Sequence, residues 1–333
     1  MLRGLDIGLA FDLRSDFHER EDGPDDRLEE YDSDATVDAI VGALVEAGHR
    51  PRRLGGGRRF LEHVLERPPQ LVFNLAEGCG TRSREAHVPS VCEMLGIPVT
   101  HSDPLTAALT LDKAMAKRVV EAAGVGTPRF AVVASAAQAE DLALRFPLIA
   151  KPLFEGSSIG VRKHSRVGDL PALRAEVARL AGDYRQPVLV EEFCTGIEFT
   201  VGLLGEGTSA RTIAAMEIAP KRARVDEFVY SLEVKRNWET EVEYHVPPRV
   251  PARTIRAVED VALAAYRALG CRDIARVDVR LDAAGEPRFL EVNPLPGLNP
   301  ITGDIVILAA RAGLAYPELI AHIVENARVR YGI

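Results

Sequence analysis

The stretch RVDVRLDAAGEPRFLEVNPLPG, residues 276–297, places the tightest constraint on how this chain can fold. Its period of two puts Arg276, Asp278 and Arg280 on one strand face and Val277, Val279 and Leu281 on the other. The Ala283-Ala284-Gly285 run makes a turn. The returning strand sets Glu291 and Asn293 against Leu290 and Val292. An antiparallel hairpin with one polar and one apolar side follows. The polar side has two chemical readings. It can be a cross-strand ion pair with Arg276 or Arg280, contributing ~0.2–1 kcal/mol. It can also be a hard, all-oxygen set from Asp278, Glu291 and Asn293, which suits Mg²⁺. The rigid Pro294, Pro296 and Gly297 segment after the strand is a frequent place for binding groups, but the hairpin alone does not choose.

The first hundred residues alternate strand and helix signals, which predicts a parallel sheet. LDIGLAFDL (5–13) reads as a strand, and the acidic run from Glu19 to Asp34 as a loop or flap. Ser33 is placed to cap a helix over 34–48, where Val37, Ile40, Val41, Leu44 and Val45 recur at helical spacing. RRLGGGRR (52–59) reads as a loop before a helix from Phe60 to Glu66, and PQLVFNLAEG (69–78) as a strand. A helix over AHVPSVCEMLG and a short strand over IPVTHSD complete this lobe. Helix signals at 104–124 and 170–182, with strands at RFAVVAS, FPLIAKPL and PVLVEEF, suggest a small α+β lobe. The expected limits are therefore 1–103, 104–190 and 191–333. The last part carries two more strands, a charged loop at 221–232, an amphipathic helix at 251–269, the hairpin and one C-terminal helix.

At 333 residues the chain is long enough for two or three cores. The net charge of −8, without a Lys/Arg-dense block interleaved with aromatics, argues against nucleic acid as a partner. No apolar run reaches the roughly 18 residues of a membrane span, so no membrane partner is expected. The four cysteines form no C-x-x-C pair and read as small buried hydrophobes in a reducing cytoplasm. Lysine usage says more. Of 41 Lys+Arg only six are lysine: Lys113, Lys117, Lys151, Lys163, Lys221 and Lys235. Where Arg serves for surface charge, a retained Lys suggests a compact point charge for phosphate.

Two further stretches carry chemistry. KPLFEGSSIGV (151–161) places Lys151 at a strand end, before a loop in which Gly156 and Gly160 allow close backbone approach to an anion and Ser157 and Ser158 add donors. An ordinary Gly-Ser turn explains this loop equally well, and it matches neither the P-loop nor the dinucleotide pattern. VLVEEFCTGIEFTV (188–201) places Glu191 and Glu192 at a strand end, with Glu198 seven residues after Glu191. Such a linker suits adenine and ribose, and equally well two solvated glutamates.

Taken in order, LDK (111–113), AKPLFEGSSIGV, VEEFCTGIEFTV, EVK (233–235), RVDVRLD and LEVNPLPG resemble the ATP-grasp superfamily, and closely its D-alanine–D-alanine ligase branch. FNLAEG, LGIPVTHSDPLTAALTLDK and EFTVGLLG strengthen the match, which runs from residue 69 to 325 and more loosely before it. The resemblance implies an α/β, three-lobed fold with ATP between the central and C-terminal lobes. It implies that Lys113 and Lys151 contact the ATP phosphates and that Ser157 and Ser158 close over them. Glu191 and the backbone near Phe193 and Cys194 would hold adenine, and Glu198 the ribose. Lys235 would reach the transferring phosphate. Asp278, Glu291 and Asn293 would bind two Mg²⁺, with Mn²⁺ as a substitute. Arg276 and the Gly297 backbone would stabilise the oxyanion. The implied reaction joins two amino acids through an acyl phosphate and releases ADP and phosphate, and related ligases form homodimers through the first lobe.

The sequence departs from this family where amino acids bind. The glycine-serine signature after the first strand is replaced by AFDLRSDFHEREDG. Glu29, or Glu30 beside it, falls opposite the glutamate that holds the first substrate's amine. The usual His-Gly is Glu77-Gly78, and Arg82 and Arg84 behind it are candidate substrate contacts. The tyrosine after the catalytic lysine is Arg236, and the serine for the second substrate's carboxylate is Thr302. The ATP and metal sets are intact, so ATP-dependent carboxylate–amine ligation is the expected activity and the substrates stay open, a cationic or larger amino acid among them. The alternatives are a specialised-metabolism ligase using a different amino acid or acid, and a nucleotide-binding protein without turnover. The complete Lys151, Asp278, Glu291 and Asn293 set argues against the last.

Overall fold

A computed structural model of the protein describes residues 4–17 and 23–333. Part of the expected acidic flap, residues 19–22, lies outside the described residues. The N-terminal lobe contains β1 (Asp6–Phe11), α1 (Asp34–Glu46), β2 (Arg50–Arg53), α2 (Gly57–Glu66), β3 (Leu71–Leu75) and α3 (His87–Leu95). Its three strands form a parallel sheet in the order β2-β1-β3. Helices cover both faces, so β3 is buried at every position. Ser33 caps α1 by accepting the Thr36 N–H, as its spacing predicts. Arg52 and Arg53, which read as loop, lie in β2. This arginine-rich strand is legible only as an edge: it pairs with β1 alone, where Pro51 removes no needed donor. The helix after it begins at Gly57 rather than Phe60, and IPVTHSD contributes a single bridge from Val99 to Val72.

Next come α4 (Pro104–Leu111), α5 (Lys113–Ala122), β4 (Phe130–Val133), β5 (Leu148–Pro152), β6 (Arg166–Val167), α6 (Leu170–Tyr184) and β7 (Val188–Glu192). Asp103, Asp112 and Asp169 cap the three helices through their carboxylates. The four strands form an antiparallel sheet in the order β4-β7-β5-β6, backed by α6. The rest comprises β8 (Glu198–Leu204), β9 (Arg211–Pro220), α7 (Leu232–Arg236), α8 (Trp238–Glu241), β10 (Val242–His245), α9 (Ala252–Ala268), β11 (Ile274–Leu281), β12 (Pro287–Asn293), α10 (Asp304–Arg311) and α11 (Tyr316–Tyr331). Its five strands are antiparallel, in the order β10-β9-β8-β11-β12. Helix α10 is absent from the sequence reading, which recognised one C-terminal helix. Among the described residues no single helix is long and apolar enough to cross a membrane.

Packing crosses the expected lobe limits twice. Ala116 and Val120 of α5 lie in the core formed by β8, β11 and α9 rather than in that of the β4–β7 sheet. Ile305, Leu319, Ile320 and Ile323 of α10 and α11 pack with Ile7, Leu9, Ile40 and Leu44 of the first lobe. The physical reason is amphipathicity: each helix carries an apolar stripe that is buried by whichever sheet face is open, whatever its distance in sequence.

A buried ion pair clamps the return of α11. The Asp273 carboxylate is fully buried, accepts the His101 N–H at 2.8 Å and pairs with Arg330, whose Nη2 also donates to the Val99 carbonyl at 3.0 Å. Burial raises the Asp273 pKa above the ordinary range, against the pull of Arg330. Arg330→Met would leave that charge uncompensated, and a loss of about 3–5 kcal/mol is expected in urea unfolding. An unchanged midpoint would exclude Arg330 as the clamp.

Candidate active site

The hairpin register sets Arg276 opposite Asn293 and Asp278 opposite Glu291, while Val277 and Val279 enter the core. A bulge between Asp278 and Val279 makes Phe289 the partner of Val279. The extra residue, Leu290, therefore leaves the apolar face to which alternation assigns it and lines the same cleft as Glu291.

This cleft lies between the two antiparallel sheets. It brings together Lys113, Lys151, Ser158, Glu191, Phe193, Cys194, Glu198, Lys235, Asp278 and Glu291. Lys113 opens α5, where Asp112 fixes the turn, and Lys151 sits one residue before the end of β5. Their ammonium groups lie 3.7 and 3.9 Å from Glu291. Burial pushes Glu291 up, but Lys113, Lys151, Arg276 and Lys235 outweigh it and hold its carboxyl at about 2. Asp278 moves the other way: burial raises it and Glu291 adds to the rise, against Arg276. Lys235 lies below the usual ammonium range because of burial and the charge of Arg276. The two carboxylates and the Asn293 amide form an all-oxygen set on one sheet face, a donor chemistry that fits Mg²⁺. A surplus of cations around Glu291 fits a polyphosphate.

Arg276 donates to Asp278 at 3.0 Å and to Asp304 at 3.3 Å, but its buried Nε–H has no acceptor among the described residues. An orphaned buried donor costs about 1–3 kcal/mol, so this one points to an acceptor brought by a ligand. Gly297 lies exposed just past the hairpin, and Thr302 is exposed beyond it.

Glu191 proves to be an anchor for cations. It is buried and sits 2.6 Å from Lys151 and 2.9 Å from Lys117. Burial raises its pKa, and the two lysines more than reverse this. Lys117 was flagged only by lysine scarcity, and it takes no place in the expected site. It is fully buried and braces Glu191 from behind. Arg280 was also missed. It pairs with Glu198 at 3.1 Å and lies 4.4 Å over the Phe193 ring. The Phe193 N–H is committed to the Pro147 carbonyl. Phe193 therefore offers a base its ring and carbonyl.

Two loops close over the cleft together. Ser157 and Ser158 both adopt left-handed backbone, φ +49° and +60°, a strained pair held by contacts on either side. The Ser158 hydroxyl donates to the Tyr230 carbonyl at 3.1 Å, and the Leu232 N–H donates to the Val161 carbonyl at 3.0 Å. Gly160 tolerates no side chain: its φ is +78°, and a Cβ would lie 2.4 Å from Pro152. Its N–H donates to Asp26 of the first lobe. Arg236, in the place of the expected tyrosine, pairs with Asp25 at 2.7 Å and Glu29 at 2.5 Å. Glu29 thus serves the lid, and Glu30 faces inward against Arg84 at 2.9 Å. No local sequence signal reports these pairs, because their partners lie far apart along the chain.

Comparisons with known proteins show the family and the fold. The family model described as D-ala D-ala ligase C-terminus matches residues 119–325. A D-alanine--D-alanine ligase of Bordetella petrii is 34% identical over 289 residues, covering 86% of this chain and 84% of that protein. A protein called y4sG from Sinorhizobium fredii, described as uncharacterized, is 35% identical over 89% of this chain and 88% of its own length. The crystal structure of D-alanine--D-alanine ligase from Bacillus anthracis complexed with ATP superimposes with a TM-score of 0.72 at 19% identity, covering 99% of both chains, and shares the fold.

Proposed function

The chain belongs to the D-alanine–D-alanine ligase family and is an ATP-dependent ligase of that type, and from this premise we propose that it joins two amino acids through an acyl phosphate. The observation that carries the residue assignments is the convergence of Lys113, Lys151, Lys235 and Arg276 on Glu291 in one cleft. Such an excess of positive charge suits the phosphates of ATP.

In the first step a carboxylate oxygen of the first amino acid attacks the γ-phosphorus. The bond from Pγ to the bridging oxygen breaks, and ADP leaves. Lys113, Lys151 and Lys235 neutralise the phosphate oxygens and hold them in line, which is most of the work in phosphoryl transfer. Asp278, Glu291 and Asn293 would hold two Mg²⁺, which supply further charge neutralisation when bound. In the second step the amine of the second amino acid attacks the acyl carbon. The C–N bond forms, the C–O bond to phosphate breaks, and the amine loses its proton. The Nε–H of Arg276, which has no acceptor among the described residues, and the Gly297 backbone N–H would receive the tetrahedral oxyanion. Ser157, Ser158 and the 221–236 segment exclude water, which would destroy the acyl phosphate. Phe193, Cys194, Glu191 and Glu198 line the nucleoside end.

The test is isotopic. Oxygen-18 in the substrate carboxylate should appear in inorganic phosphate in step with product formation. Unlabelled phosphate alongside amide product would rule out the acyl phosphate. The activity needs cytoplasmic ATP, and we place the protein there. We also infer a homodimer through the first lobe. Leu61 and Leu65 of α2 and Met94 and Leu95 of α3 are exposed, on helices whose inner faces share one core. Light scattering should give about twice the 36.3 kDa chain mass. A 36.3 kDa particle would count against the dimer.

A further inference from the structure

Beside the phosphate loop lies a set of carboxylates that phosphoryl transfer does not use. Arg84, just before α3, is buried. It donates to both oxygens of Glu30 at 3.2 and 2.9 Å, to Glu155 at 3.2 Å and to the Phe154 carbonyl at 2.8 Å. Four of its five N–H donors are therefore committed. Glu155 is held in addition by Gln186, at 2.6 Å. Next to this knot stand Glu77 and Glu85. Glu85 is only 6% exposed and Glu77 is half-buried, and among the described residues neither carboxylate has a hydrogen-bond or ion-pair partner. Glu85 interacts electrostatically with Arg84, Glu30, Lys113 and Glu155, and Lys113 and Glu155 line the ATP cleft, so Glu85 stands beside that cleft. Asp32 and Asp12 stand behind them, Asp12 accepting the Gly78 N–H at 2.8 Å.

Four carboxylates, Glu30, Glu155, Glu85 and Glu77, thus surround one guanidinium, with Asp32 and Asp12 behind them. Burial, then mutual repulsion, pushes Glu85 and Asp32 to about 7 and Glu77 well above its ordinary value. Buried carboxylates without partners are costly unless something brings positive charge to them.

We propose that the amino acid entering first carries a second positive charge, an ammonium or guanidinium on its side chain, and that Glu85 and Glu77 receive it. This rests on the ligase reading above. A neutral amino acid brings one ammonium, which Glu30 takes, and one carboxylate, which goes to the γ-phosphate. It would leave Glu85 and Glu77 unanswered. A cationic side chain offers two or more donors to both, and binding would displace the protons they share.

The experiment uses the full-length protein with ATP and Mg²⁺. ADP release and product mass are measured for the D and L forms of alanine, serine, lysine, ornithine and arginine, each alone and with D-alanine. The expected result is a kcat/KM at least about tenfold higher for a cationic amino acid than for alanine. Glu85→Gln and, independently, Glu77→Gln should collapse that ratio, with melting curves checking the fold. In parallel, calorimetry in two buffers of different ionisation heat should show protons released when the cationic amino acid binds, and fewer with Glu85→Gln. Fast turnover with alanine or serine and none with the cationic set would overturn the proposal and leave the ligase standing. Proton-releasing binding without ADP from any amino acid would overturn the ligase reading and leave the cation site standing. An unchanged ratio in both variants would remove Glu85 and Glu77 as its origin.

Discussion

Glu291→Gln is expected to lower turnover by about 10³-fold, equivalent to about 4 kcal/mol of lost transition-state stabilisation. The reason lies in the charges around it. Lys113, Lys151, Arg276 and Lys235 together hold this carboxylate at about 2, so it is ionised at every working pH. The amide removes the anionic oxygen that the proposed metal site needs and leaves four cations facing one another. Turnover should not recover with excess Mg²⁺ if the ligand itself is missing, and ATP affinity without metal should change much less. Thermal melting separates this from unfolding, because Glu291 is only partly buried and lies at the cleft. Activity within tenfold of the parent would remove Glu291 from the metal set. Asp278→Asn should behave alike. However, it leaves one acceptor oxygen where the Thr200 hydroxyl and Arg276 now use two, at 2.8 and 3.0 Å, so some stability will go with it.

Arg276→Gln is expected to lower product formation by about 10²–10³-fold, the usual loss for one oxyanion donor. The free Nε–H marks where the loss falls, since the other donors already serve Asp278 and Asp304. The step affected should be amide formation. Exchange of the β,γ-bridging oxygen of labelled ATP, which reports acyl phosphate formation and reversal, should persist at a larger fraction of the parent rate than product formation. Equal loss in both measurements would assign Arg276 to the phosphates and not to the oxyanion. Without Arg276, Asp278 and Asp304 face each other unpaired, so the fold must be checked by melting in the same buffer.

The hairpin was legible because strand alternation and a glycine turn are local. Arg276 against Asn293 and Asp278 against Glu291 follow from the residues themselves. Leu290 was not legible. A single bulge reverses its face, and a bulge depends on how the strand meets its neighbours. Strand β2 was missed for a related reason: Arg50-Pro51-Arg52-Arg53 has no strand propensity, and its pairing comes wholly from β1. Lysine scarcity picked out Lys117, but its place behind Glu191 required three elements to meet.

The amino-terminal residues show the same division. The family resemblance leaves Glu29 and Glu30 as alternatives for the substrate's amine. The structure separates them by turning Glu29 toward Arg236, 207 residues away, and Glu30 toward Arg84, 54 residues away. Glu77 and Glu85 read from sequence as one altered motif and one ordinary residue. Only the fold, which buries Glu85 and sets Glu77 beside it, makes them a charge deficit.

The sequence by itself determined the local elements, the order of the phosphate and hairpin motifs, and through them the family and the reaction. The elements depend on periodicity and spacing over a few residues, where backbone geometry allows few choices, and the family and reaction rest on the resemblance that the ordered motifs carry. The tertiary structure alone decided which carboxylates are paired and which wait for a partner. Charge pairing depends on distance and desolvation in space, and these arise only when three lobes close on one cleft.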